Sequence, residues 1–204
     1  MNIQRWQLGP FETNCYFFMH QGQGFLVDPG DASLDGVLKD RVGRVDFILL
    51  THGHVDHVLG IGAVRRLHPQ ARIALAEADR TWYEKTDLQA AMFGLQRQPV
   101  PPPDLWLSPP CEIEGIRVIA TPGHTPGSVC FFLPEEGVLF SGDTLFAGGV
   151  GRTDFPGGSW SQLETSIRNL YRDLPAGTRV FPGHGPATTL SEEMRSNPFV
   201  SAKK

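Results

Sequence analysis

The chain has 204 residues, a formal net charge of −4 and 40% hydrophobic residues. That is enough apolar material for a buried core, and too little positive charge for a general nucleic-acid binder. No apolar run approaches the roughly 20 residues of a membrane span, and the opening MNIQRWQLGPFETN lacks the basic and apolar regions of a signal peptide.

A cytoplasmic protein is therefore expected, with neither nucleic acid nor membrane as partner. Cys15, Cys111 and Cys130 are odd in number and widely spaced, which fits a reducing compartment without disulfides. In chain order, residues 3–8, 15–20 and 24–27 are predicted strands. The last ends in Asp28-Pro29-Gly30-Asp31, strong turn chemistry, and Ser33 is a plausible N-cap for a short helix. Residues 45–50 (VDFILL) are apolar except for Asp46, as in a strand buried on both faces. A helix over 58–67 and a strand over 72–76 follow, an order that favours parallel neighbours.

Residues 77–95 are predicted helical in two pieces. The proline-rich stretch 99–103 is an extended surface loop. A strand over 116–121 precedes a hairpin of 129–133 with 138–141 around Pro134-Glu135-Glu136-Gly137. Residues 142–158 form a long glycine-rich loop, a length that is usually functional. Ser159 with Gln162, or Ser161 with Glu164, can cap a helix running to Asp173. A strand over 178–182 and a helix over 191–195 complete the chain. One domain over 1–204 is expected, with two sheets covered outside by helices.

Five of the seven histidines fall in three compact motifs, each directly after a predicted strand. The first is Thr51-His52-Gly53-His54-Val55-Asp56-His57. A chance H-x-H-x-D-H in a chain of this composition has a probability on the order of 5 in 10,000. His52 and His54, two apart on extended chain, point to one side, while Asp56 and His57 lie where the chain turns into a helix. Imidazole and carboxylate are ligands for zinc, iron or manganese. Four of them so close, divided between two directions, suggest two metals. The second motif, Thr121-Pro122-Gly123-His124-Thr125-Pro126-Gly127-Ser128, fixes a histidine in a rigid loop, with hydroxyls nearby as supporting partners. The third, Pro182-Gly183-His184-Gly185-Pro186, repeats the design. Ser141-Gly142-Asp143-Thr144 adds a carboxylate able to bridge two cations.

With THGHVDH, TPGHTPGS, SGDTLF and PGHGP in that order, the chain resembles the metallo-β-lactamase superfamily. The resemblance implies an αββα sandwich of two mixed β-sheets with helices on the outer faces. It implies His52, His54 and His124 on one metal and Asp56, His57 and His184 on a second, with Asp143 and a hydroxide bridging them. The loop GGVGRTDFPGG and the ending TTLSEEMRSNPF resemble the short glyoxalase II-like branch of hydroxyacylglutathione hydrolases, which lacks the C-terminal helical domain of the full-length enzymes.

The activity so implied is hydrolysis of S-acylglutathione thioesters, such as S-lactoylglutathione, by attack of a metal-bridging hydroxide. Asp56 would also orient that nucleophile or take its proton. The cofactors would be two divalent ions, zinc first and iron or manganese as alternatives. Arg152 sits where the long enzymes have a lysine and is a candidate contact for a glutathione carboxylate, or else pairs with Asp154 to brace its loop. Persulfide dioxygenases share the fold and a GRTDF-like loop, so an iron-dependent glutathione persulfide dioxygenase is the alternative, with a lactonase-type hydrolase a further one. The lactamases place a cysteine where this chain has Asp143, which lowers that reading. Outside the motifs, His20 and His68 are expected to be solvated, and Cys15 and Cys130 to be core thiols.

Overall fold

In a computed structural model, residues 1–34, 36, 38 and 43–201 are described. The helix expected after Ser33 falls partly outside these described residues. The chain divides into two compact units, Met1–Leu107 and Ser108–Lys204.

The first unit holds a six-stranded mixed sheet. Its strands are β1 (Ile3–Leu8), β2 (Thr13–His20), β3 (Gln23–Val27), β4 (Phe47–Leu49), β5 (Arg72–Ala76) and β6 (Leu105–Leu107), paired in that order. The first three pair antiparallel and the last three are added parallel. The apolar residues 47–50, which follow Asp46, account for β4, all three residues of which are buried. Leu26, Ile48 and Ile73 from adjacent strands pack with Ile61 and Val64 in one cluster, each such side chain contributing roughly 1.5–3 kcal/mol of burial. The strand β6 agrees with a return to strand pattern just after the proline loop, though at three residues it is too short for a period to fix its bounds.

The helix expected over 58–67 is instead two, α1 (Val55–Val58) and α2 (Ile61–Leu67). The break is at Gly60, whose amide donates to the Pro29 carbonyl at 2.8 Å. A Cβ there would lie 2.5 Å from the Asp31 carbonyl oxygen, so only glycine lets the chain approach the 28–31 turn this closely. The 77–95 segment forms a 3-10 turn (Glu77–Asp79), α3 (Arg80–Glu84) and α4 (Thr86–Met92). His20 is buried edge-on against Phe25, with ring centroids 6.3 Å apart, and not solvated. His68 is half-buried, its Nδ1 accepting the Val45 amide at 3.4 Å.

The second unit holds β7 (Cys111–Ile113), β8 (Ile116–Ala120), β9 (Val129–Leu133), β10 (Val138–Gly142), the short pair β11 (Leu145–Phe146) and β12 (Gly149–Val150), β13 (Arg179–Pro182) and β14 (Thr188–Thr189). Its six-stranded sheet runs β14-β13-β10-β9-β8-β7, with β10 and β13 parallel and the rest antiparallel. Two helices follow the glycine-rich loop, α5 (Trp160–Asp173) and α6 (Leu190–Ser196). The cap of α5 is Ser159, whose hydroxyl accepts the Gln162 amide; Ser161 lies inside the helix. Leu163, Ile167, Leu170 and Tyr171 recur at helical spacing on its buried face and join Leu139 and Val180 in one core. No helix of the described residues is long and apolar enough to cross a membrane.

Candidate metal centre

Every histidine motif begins where a strand has just ended. In the first unit, β4 delivers Thr51 and His52, His54 caps α1 in an extended conformation, and Asp56 and His57 occupy its first turn. The rings of His52 and His54 lie perpendicular with centroids 4.8 Å apart, and those of His52 and His57 are 4.1 Å apart. Ligand atoms of His52 fall within 4.8 Å of those of His54 and His57. All three histidines are buried. Such crowding of imidazoles is what a shared cation relieves.

The ring orientations have an identifiable source. Asp28, the first residue of the turn after β3, is buried, and its Oδ2 accepts from His57 Nδ1 at 3.0 Å and from the Thr51 hydroxyl at 2.7 Å. Its Oδ1 accepts the Thr51 amide at 2.8 Å. The Thr51 hydroxyl proton is thus committed to Asp28, so at 3.0 Å its oxygen accepts from His52 Nδ1. With Nδ1 protonated on both rings, Nε2 is the atom left with a lone pair. The carboxylate of Asp56 accepts from the Thr13 hydroxyl at 3.0 Å.

The loop itself is braced from the 3-10 turn, α3 and α4. Buried Asp79 accepts the Gly53 amide at 2.8 Å, and Gln89 accepts the Val55 amide at 3.1 Å while donating to the Gly53 and Trp82 carbonyls. The Trp82 ring meets His54 edge to face at 4.6 Å. Asp28, Thr13, Asp79 and Gln89 carried no motif signal. Asp28 stands in the predicted turn and Asp79 and Gln89 in the predicted helical segment, while Thr13 lies between predicted strands.

In the second unit, β8 delivers the loop of His124, β10 that of Asp143, and β13 that of His184. The Asp143 Oδ2 lies 3.6 Å from His124 Nε2 and 3.6 Å from His184 Nε2. In the first unit, His57 Nε2 and Asp56 Oδ2 are 3.5 Å apart. These separations exceed the 2.7–2.9 Å of a charge-assisted hydrogen bond. They match the ~3.4 Å expected between two donors that each bind one tetrahedral ion at about 2.1 Å. The donor set is entirely imidazole and carboxylate, which fits zinc, iron or manganese.

His124 Nδ1 is 2.7 Å from the Arg152 carbonyl oxygen, which can only accept, so this ring too presents Nε2. Of the hydroxyls near His124, those of Thr125 and Ser128 bond each other at 2.8 Å and shape the loop, and that of Thr121 bonds Thr144 at 2.9 Å, tying the His124 loop to the Asp143 loop. Gly151 is required in this arrangement, because a Cβ there would lie 1.9 Å from the Asp143 carbonyl oxygen. The Arg152 side chain makes two 2.6 Å bonds to Asp154 and stacks 4.2 Å over Phe155. That pairing holds the exposed Asp154 carboxyl down to about 2.

The family description "Metallo-beta-lactamase superfamily" matches residues 8–184. The chain is 36% identical to the Haemophilus influenzae hydroxyacylglutathione hydrolase GloC, covering all of both chains. Among solved structures, TTHA1623 in a di-iron-bound form shares 39% identity with a TM-score of 0.90, covering 97% of this chain and 100% of that one. The B3 metallo-beta-lactamase BLEG-1 shares 36% identity with a TM-score of 0.87, covering 98% and 99%. Two mixed sheets with helices, a matching family description and full-length relatives agree: the chain belongs to the metallo-β-lactamase superfamily and is a metallohydrolase of that fold.

Proposed function

We propose that this chain is a binuclear thioester hydrolase acting on S-acylglutathione, as in the conversion of S-lactoylglutathione to lactate and glutathione. His52, His54 and His124 serve one cation, Asp56, His57 and His184 the other, and Asp143 both. Zinc is the first choice of metal, with iron or manganese as alternatives. The enzyme works as a single domain in the cytoplasm. The observation that carries this reading is the recurring nitrogen-to-carboxylate spacing of 3.5–3.6 Å at Asp56 and Asp143. Full-length similarity to GloC supports the choice of substrate.

Bound there, two divalent cations supply Lewis acidity and a water acidic enough to ionise near pH 7. The remaining work belongs to the chain. Asp28 and the Arg152 carbonyl hold the Nδ1 protons of His52, His57 and His124, directly or through Thr51, so that each ring donates from Nε2. Thr13 fixes the Asp56 carboxylate, which orients the attacking water. A thiolate departs without a proton donor, whereas an amide nitrogen requires one. Arg152 is the candidate contact for a glutathione carboxylate once its pairing with Asp154 is exchanged.

The test is hydrolysis of S-lactoylglutathione with metal content measured on the same preparation. Hydrolysis with about two metals per chain is expected. Oxygen uptake with glutathione persulfide, about one iron and no hydrolysis would overturn the reading. Similarity to BLEG-1 makes β-lactam hydrolysis the second reading, and turnover of a β-lactam exceeding that of the thioester would establish it.

A further inference from the structure

The ending TTLSEEMRSNPF distinguishes this chain in sequence, yet no residue of it belongs to the donor set. Its two most buried polar side chains, Glu193 and Asn197, are 2% and 1% exposed. A buried carboxylate is costly unless fully hydrogen-bonded, and Glu193 is. Its Oε1 accepts the Thr188 hydroxyl at 2.7 Å. Its Oε2 accepts the Gly148 amide at 2.9 Å and the Asn197 side-chain amide at 2.8 Å. That same Asn197 amide also donates to the Gly149 carbonyl at 3.1 Å. The Asn197 Oδ1 is occupied by the amides of Phe199 and Val200 at 3.0 and 3.2 Å.

Two contacts from α6 and its C-terminal end thus converge on Gly148 and Gly149. Gly149 begins β12 and Gly148 immediately precedes it; three residues beyond Gly149 stands Arg152, whose carbonyl receives the His124 Nδ1 proton at 2.7 Å. Gly151, between them, packs against the Asp143 backbone.

We propose that Glu193 and Asn197 are positioning residues for His124. They clamp the glycine-rich loop so that the Arg152 carbonyl fixes the tautomer and direction of that one imidazole. The clamp rests on the binuclear reading for its consequence, but the geometry it controls exists without metal. Its effect is local: the cation served by His124 depends on it, and the cation served by Asp56, His57 and His184 does not.

The variants are Glu193→Ala, Asn197→Ala and Glu193→Gln. A glutamine can place its oxygen at the Oε2 position and its amide against Thr188, retaining every partner, so it is the rescue. Two measurements read the clamp. In metal-free protein, the ring N–H of His124, assigned by its absence from His124→Asn, is expected as a protected NMR signal in wild type and Glu193→Gln. It is expected to be lost to exchange in Glu193→Ala and Asn197→Ala. In zinc titrations against a chelator, one of two stepwise affinities is expected to fall at least about 10-fold in the alanine variants, the other staying within about twofold. If Glu193→Ala does not fold, Asn197→Ala tests the same link through Gly149 alone. An unchanged His124 signal, or an equal fall in both affinities, overturns the proposal. A wild type that binds fewer than two zinc ions overturns the binuclear reading instead, leaving the NMR result to judge the clamp.

Discussion

Asp28 and His57 are joined by a 3.0 Å bond between a carboxylate and an imidazole that are both sealed from solvent. The same oxygen of Asp28 also holds Thr51, and through it His52. One side chain therefore sets the direction of two rings that the proposed centre assigns to different cations. Asp28→Asn keeps the shape, and asparagine tolerates the left-handed backbone at this position (φ +50°). Its amide must nevertheless face either the Thr51 amide or the His57 and Thr51 donors. Affinity for both metals is expected to fall about 10- to 100-fold, measured by chelator competition. A fall confined to one metal would show that Thr51 orients His52 unaided.

In the proposed centre, His54→Ala opens the coordination shell directly. Metal content and turnover are expected to drop together, turnover by more than about 100-fold, since a ligand matters more than its supporting partner. Elemental analysis beside a rate assay checks this, and wild-type values for both would remove His54 from the centre.

Two glycines carry the loops past each other at distances no side chain permits. A Cβ at Gly30 would sit 1.8 Å from the Asp56 carbonyl oxygen, and at Gly24 one would sit 1.9 Å from the Arg44 carbonyl oxygen. Both alanine variants are expected to lose roughly 3 kcal/mol or more of stability, read by denaturant melts. Only Gly30→Ala should also lower metal content per folded molecule, because only it displaces Asp56.

Releasing Arg152 from its partner should strengthen its hold on an anionic substrate. Asp154→Asn is expected to lower KM for S-lactoylglutathione by about two- to fivefold, and Arg152→Ala to raise it, kcat being little changed in either. The Asp154 carboxyl is depressed to about 2 from 3.8 by the Arg152 hydrogen bonds. The pairing is therefore complete above pH 3.8 and is lost only as pH falls through about 2. The KM effect should consequently be constant between pH 6 and pH 9, and a step in that window would assign the effect to another group.

The three thiols should separate by access. Burial raises the Cys15 thiol well above its ordinary value and pushes Cys130 up to about 11, while Cys111 is raised less and is half-buried. At pH 8 a disulfide reagent is expected to titrate Cys111 alone and slowly, and all three after denaturation. Rapid reaction of two or more in native protein would contradict the packing around β2 and β9.

What the sequence made legible was short-range. The motif residues stand out because the proposed ligands follow the ends of β4, β8, β10 and β13 in tight local patterns, and VDFILL marks its strand by an apolar run broken only at Asp46. The hairpin of β9 and β10 and the helix after Ser159 were readable from local turn and cap chemistry. Asp28, Asp79, Gln89 and Glu193 were not, because each meets its target through a contact 23 to 45 residues away in the chain. His20 was misjudged for a similar reason: nothing near it in sequence reveals that β2 delivers it against Phe25. The strands β6 and β7, three residues each, are defined by their neighbours more than by their own pattern.

The parallel pairing of β3 with β4 sets Val27 opposite Leu49, and the Asp28 amide donates to the Leu49 carbonyl at 3.1 Å. That alignment determines whether Asp28 meets Thr51 at all. Sliding either strand by one pair would turn the carboxylate to the opposite face and leave the threonine facing apolar side chains. The vernier that sets the metal-binding chemistry is thus strand registration in the sheet, fixed by hydrophobic packing before any ion arrives.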